Sequence, residues 1–482
     1  MMFVSCAIIA LFLLAHTTHS GVTVGGTLRK STVWNEAESP YYVVSDVGVP
    51  PNLTLTIEAG VQIIFDNDFE ILIKGGSLKV LGTTKQFVRF TSGFAGKKWM
   101  VTFKASNLSQ SIITSAQFSG PKPAVQSANA ENNPIQNQGE LLLQFCVFVN
   151  GSEITSNGGS GIIFNETYFL SKSSLVLRNV FINDSKLTNG YGSMEPIYLV
   201  NSYIVNSSIR ATASKYGIHL NSCVVYNTSI ELFYGYPSTV HIDNSTLNNV
   251  YVKGNAGQTS TMLLSISRST FQNGSITGGF HGTNIQLDDS RLIYVNVLGV
   301  AGDDDSYRQT YFALRHSTFD NGSLVLRNYK VDLISSNISL AQSPLVIGTN
   351  SIIQCSSITR TTETNENMIG IEANSIIIKE SSIYNFRIGI RLFKTCTILS
   401  SNIYNNLLYN IENQGPYTIQ AKENWWGTTN ETEIDNKIYD YYDNLNFGQV
   451  VYSNYSMILL EHNNGNSVAD LGFWKRVALF YM

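Results

Sequence analysis

Few side chains in this sequence have the type and spacing to do chemistry. Asp303, Asp304 and Asp305 stand together in "VAGDDDSYRQTY". Carboxylate oxygens are the hard ligands that Ca²⁺ takes, so the run reads as a Ca²⁺ site, a carbohydrate contact or a solvated turn. Tyr439, Tyr441 and Tyr442 form an aromatic run that suits either a bound glycan or the packing of a chain end. His219 reads as an inward histidine and His241 as an outward one, for reasons of register given below. Beyond Cys6, the cysteines are Cys146, Cys223, Cys355 and Cys396. Their wide spacing makes neither a zinc frame nor a dense disulfide scaffold; one or two disulfides and buried thiols both remain open. No catalytic residue and no metal cluster is expected, and Ca²⁺ is the one cofactor that the residues raise.

These residues need elements to hold them, and composition says which kind. Asn, Ser, Thr, Ile, Val and Tyr take the place that Ala, Glu, Lys and Leu fill in helical proteins, which favours strands. Only 14% of the 482 residues are charged and the formal net charge is -4. That argues against nucleic acid or an anionic membrane as partner, since both favour a basic surface.

The opening "MMFVSCAIIALFLLAHTTHS" is apolar from Phe3 to Ala15 and then small and polar. It reads as a secretory signal peptide cleaved near Ser20; a signal anchor is the rival, but the run is short for a span of about 20 residues. No later segment is long and apolar enough to cross a bilayer. Asn-x-Ser/Thr sequons stand at Asn52, Asn107, Asn150, Asn165, Asn183, Asn206, Asn227, Asn244, Asn273, Asn321, Asn337, Asn430 and Asn454. They agree with glycosylation and an extracellular address, secreted or cell-surface. The end, "FWKRVALFYM", reads either as the true end or as a truncation.

A short phrase recurs. Ser202, Ser222, Ser245, Ser269, Ser290, Ser317, Ser336, Ser356, Ser381 and Ser401 fall in one register, at intervals of 20, 23, 24, 21, 27, 19, 20, 25 and 20 residues. Two residues after each serine stands an apolar side chain, as in Ile204, Val224, Leu247 and Phe271. Three before stands another, with His219 the single exception. The frame is apolar-x-apolar-x-x-Ser-x-apolar. Period-two alternation means strand, and the break before Ser means a corner. A coil of this kind cannot bury its inner face alone, so coils must stack, with strands about 4.8 Å apart. Each serine then forms a structural ladder, its hydroxyl giving and taking hydrogen bonds between coils. Leucine-rich repeats, a strict six-residue β-helix and helical repeats all fit less well. The expected fold is all-β: a single-stranded right-handed parallel β-helix with N- and C-terminal caps.

Both ends of such a stack need covering, and both carry atypical segments. Trp34 lies in "GGTLRKSTVWNEAESPYYVVSDVGVPPNLTLTIEAGVQIIF", and Asn424, Trp425, Trp426 and Gly427 open "NWWGTTNETEID". The pairing of "LTIEAGVQIIF" with the Asn-Trp-Trp-Gly phrase resembles extracellular β-helix proteins of the pectin-lyase-like superfamily. It is similar to bacterial surface β-helix proteins and to the β-helix segments of the insect bark beetle junction protein. The resemblance covers roughly residues 25–455. The expected domain organisation is signal peptide 1–20, N-terminal cap and first coils 21–93, coils 94–410, C-terminal cap 411–460 and a tail 461–482, complete or truncated.

The superfamily also holds polysaccharide lyases and hydrolases. Their signatures appear only as fragments: "HGTN" at His281, "RLFK" at Arg391, and Asp288-Asp289. The expected function is a secreted or surface-displayed, non-catalytic scaffold for adhesion or glycan recognition, whose partner is a glycan or a cell-surface protein. The alternative is a polysaccharide lyase or glycoside hydrolase acting on acidic polysaccharide.

Overall fold

The computed structural model describes residues 21–462 apart from short interspersed segments, the longest being 129–139 and 301–309. The proposed signal peptide, Asn107, Asn150, His281, Asp303, Asp304, Asp305 and residues 463–482 lie outside the described residues. The protein is all-β, with 61% of residues in strands and 2% in helix, and its parallel strands stack as a β-solenoid. With so little helix, the chain passes between sheets by corners and loops. The chain packs as two compact units, Met1–Tyr168 and Phe169–Met482.

One coil of the second unit shows the plan. Strand Ile197–Val200 lies in a first sheet, Tyr203–Val205 in a second and Ser208–Thr212 in a third. Each pairs in parallel with its counterpart one coil on: Ile197 with Ile218, Tyr203 with Val224, and Ser208 with Ser229. In the second sheet this pairing runs unbroken through eleven strands, from Val180–Asn183 to Asn402–Tyr404.

Alternation decides what is inside. Leu199, Leu220, Ile242, Ile266 and Leu287 form one buried file, and Ile204, Val225, Leu247, Phe271 and Leu292 another. Burial of each such side chain contributes about 1.5–3 kcal/mol. These files demand corners sharp enough to turn the chain between strands. The turn is made by one residue in the left-handed region: Asn201 (φ 49°), Asn244 (47°), Asp289 (48°) and His316 (48°) at one corner, and Asn206 (48°), Asn227 (46°) and Asn273 (50°) at the next. Asparagine is frequent there because its short polar side chain tolerates this conformation.

The first unit follows the same plan with an aromatic core. Phe65, Trp99, Phe90 and Phe118 stack, with ring centroids 4.7 Å apart for Phe65 and Trp99 and 5.0 Å for Phe90 and Phe118. Trp34 is buried and stacks on Tyr41 at 4.9 Å. The Tyr41 hydroxyl accepts from the Asn35 N–H and donates to Glu38, and burial pushes its pKa up to about 12.

Candidate functional site

Polar groups at the corners do most of the local work. Each file serine accepts a hydrogen bond from the backbone N–H of its counterpart one coil earlier: Ser245 to Ser269 at 3.0 Å, Ser290 to Ser317 at 3.0 Å, Ser381 to Ser401 at 3.2 Å. Its own hydroxyl donates back to the carbonyl two residues earlier, as Ser269 does to Ser267 and Ser317 to Arg315, both at 2.6 Å. The hydroxyl therefore links coils through its acceptor lone pair, while its proton goes mainly to the corner carbonyl, shared at longer range with the preceding coil by Ser290, Ser317 and Ser336. Ser202, Ser336, Ser356 and Ser401 make the same donor bond.

Ser222 is not on this file. It occupies the left-handed corner position (φ 54°), half-exposed, with its hydroxyl on Asn221. The buried Cys223 holds the file position instead: its N–H donates to Ser245 Oγ, and its thiol bonds the carbonyls of Leu199 and Asn221. With the register moved by one, Leu220 and Val225 fill the apolar columns. A one-residue slip reverses every facing in a strand, so His219 points outward, not inward. It pairs in register with His241, which also faces out. Burial raises the Cys223 thiol pKa to about 11, so this sulfur is a packed file member and no nucleophile. All four described cysteines are free thiols.

A second hydroxyl file, at the next corner, has no counterpart in the sequence reading. Ser185 N–H donates to Ser207 Oγ at 3.2 Å, and Ser207 N–H to Thr228 Oγ1 at 3.3 Å. Outside it the corner asparagines stack: Asn227 donates to Asn206 at 3.2 Å and Asn249 to Asn227 at 2.8 Å. Here an asparagine suited to the left-handed turn precedes the file hydroxyl, and a strand-starting Ser or Thr comes next. Asn206-Ser-Ser, Asn227-Thr-Ser and Asn244-Ser-Thr are therefore corner geometry as well as sequons. Asn273 and Asn321 also take left-handed corners, Asn52 a turn and Asn454 a left-handed bend past the last strand, while Asn183 and Asn337 end and begin strands. Asn430 caps the short helix Glu431–Asp435, and Asn165 ends the strand Gly161–Asn165.

The serine file ends on the Asn-Trp-Trp-Gly phrase. Asn424, fully buried, accepts from the Ser401 N–H at 2.8 Å and donates to the Ile398 carbonyl at 3.0 Å. It does the hydroxyl's job with an amide. Trp425 adds one bridge to the second sheet, its N–H on Ser401 and its carbonyl accepting from Ile403, and its side chain stays half-exposed. Trp426 is buried, edge-on to Tyr452. Gly427 turns at φ 90°.

Past this cap the three candidate tyrosines separate into two roles. Tyr439 is half-buried, packed between Tyr409 at 5.2 Å and the edge of Phe447 at 6.0 Å. Tyr441 and Tyr442 are 44% and 78% exposed, edge to face at 5.7 Å. The buried Asp440 fixes their loop by accepting from the Tyr442 and Val450 N–H groups, while the Asp440 N–H donates to the Asp443 carboxylate.

Among the described residues, the fragments of enzyme signatures do not converge. Asp288 takes a hydrogen bond from Gln286 and lies 4.0 Å from Arg315, and Asp289 lies 3.7 Å from His316. Arg391 sits between Glu412 at 2.6 Å and Glu372 at 3.7 Å. Asp243 is nearly buried and held by Arg268 and Ser267; the Arg268 hydrogen bonds keep its pKa below the usual carboxylate range. Among the described residues, no three His, Cys, Asp or Glu side chains gather as metal ligands, and no helix is long and apolar enough to cross a membrane. No protein-family model and no curated protein sequence matches the chain.

Proposed function

We propose that the chain is a secreted or cell-surface, non-catalytic scaffold that recognises glycans or a glycosylated cell-surface partner. The observation that carries this reading is the tyrosine pair of the C-terminal cap. Tyr442 is 78% exposed, yet its loop is pinned by a buried carboxylate. A rigid, wet aromatic pair is the kind of surface that stacks on an apolar sugar face and bonds hydroxyls with its phenols. Exposed sequon asparagines along the corners support an extracellular address, and the Asn-Trp-Trp-Gly cap supports kinship with pectin-lyase-like β-helices.

The charged side chains favour binding over catalysis. Asp243 and Arg391 each face an opposite charge on a neighbouring coil, whereas a lyase or hydrolase needs carboxylates converging on one substrate. The test is a glycan array run beside a panel of acidic polysaccharides with Ca²⁺. The expected result is retention of a defined glycan subset, lost in Tyr441→Ala and Tyr442→Ala, with no new chain ends. Release of unsaturated or reducing ends would establish the alternative, a polysaccharide lyase or glycoside hydrolase.

A further inference from the structure

On the outer face of the first sheet, three rings follow one another on successive coils. Tyr198 and His219 stack with centroids 4.7 Å apart, and His219 and His241 lie 5.9 Å apart at 50° to each other. His219 and His241 are direct partners in adjacent parallel strands, Ile218–Asn221 and Ser238–Asp243. Both are half-buried. The position next along the file is Ser265, a small side chain that leaves the far side of His241 uncrowded. Asp243, two residues on and on the same face, brings a negative charge near His241.

We propose that His219 and His241 form a two-imidazole site for a borderline divalent transition metal, Cu²⁺ ahead of Zn²⁺. Imidazole nitrogen suits both ions, and Cu²⁺ stands highest in the affinity order. Their backbones are fixed one strand spacing apart, about 4.8 Å. Both rings therefore reach one ion by side-chain rotation alone, with nitrogen–metal distances of about 2.0–2.1 Å. The ring centroids, 5.9 Å apart, already lie within the span that one ion bridges between two imidazoles. Water completes the coordination shell. Tyr198 stacks on the far face of His219, which leaves the side toward His241 for the ion.

The test is titration of the folded chain with Cu²⁺ and separately with Zn²⁺, followed by calorimetry, with an electron paramagnetic resonance spectrum of the Cu²⁺ form. The expected result is one saturable equivalent whose spectrum carries coupling to two imidazole nitrogens. It is lost in His219→Ala and in His241→Ala and kept in His316→Ala. Since both side chains face outward, unchanged circular dichroism of the two variants separates lost binding from lost fold. Absence of saturable binding, or binding that survives either substitution, would overturn the site. Neither outcome bears on glycan recognition, which rests on Tyr441 and Tyr442.

Discussion

A single serine in the file holds a neighbour's backbone N–H out of water, and that is its measurable contribution. Ser290→Ala leaves the Ser269 N–H without its acceptor and should cost about 1–3 kcal/mol. Ser222→Ala removes only a surface hydroxyl and should change stability by less than about 0.5 kcal/mol. Cys223→Ser puts the usual file residue back and should be neutral. Thermal denaturation of the three variants checks the register, and equal losses at Ser222 and Ser290 would contradict it. Asp243 supplies a pH test of opposite character. Its folded pKa is lowered by Arg268, so its stabilisation is full above the ordinary carboxylate value of about 3.9 and is lost as pH falls through the folded value. Arg268→Gln should therefore lower the melting temperature at neutral pH, with the gap closing as the medium becomes more acid than about pH 4. A constant gap down to pH 2 would argue against the ion pair.

At the scale of the strand, facing is everything. Phe271 is fully buried and its neighbour Gln272 faces out. Phe271→Asp should destabilise by about 3 kcal/mol or more, against less than about 0.5 kcal/mol for Gln272→Asp. Chemical denaturation measures both, and comparable losses would reverse the assigned faces. This alternation was legible in the sequence because period-two columns repeat over many coils. The slip at Ser222 was not. A thiol stands in for the hydroxyl there, and the serine beside it offered a false match that made His219 look inward. The second file was hidden because apolar Val250 and the glycines Gly274 and Gly322 replace its hydroxyls in later coils. Those glycines have their own cause: a Cβ at Gly274 would meet the Phe271 ring at 2.4 Å, and one at Gly322 the Phe319 ring at 2.6 Å. Likewise Tyr329 is buried because Gly278 and Gly299 leave room for its ring and hydroxyl. The Tyr329 pairings join residues 30 and 51 positions apart, and a repeat frame cannot show them. Of the candidate site, the aromatic run was visible as residue types, but only the loop geometry separates packed Tyr439 from exposed Tyr441 and Tyr442.

At the scale of the whole molecule, function follows from stacking. Coils that satisfy one another's corners leave flat outer sheets and fixed ridges on which several weak contacts can add up. Fold alone assigns no ligand; the ligand is set by what the surface of the stacked coils presents. The most direct measurement is the distance between spin labels at Thr246 and Ser357, both on the outer face of the second sheet, with the half-exposed Cys355 replaced by serine. These positions are linked through Thr270, Arg291, Thr318 and Asn337, one coil at a time. Double electron–electron resonance should give one narrow distribution near the backbone separation of about 24 Å, five spacings of about 4.8 Å, widened only by the label arms. A broad distribution, or one centred far from that value, would contradict the stacked coils and the scaffold role built on them.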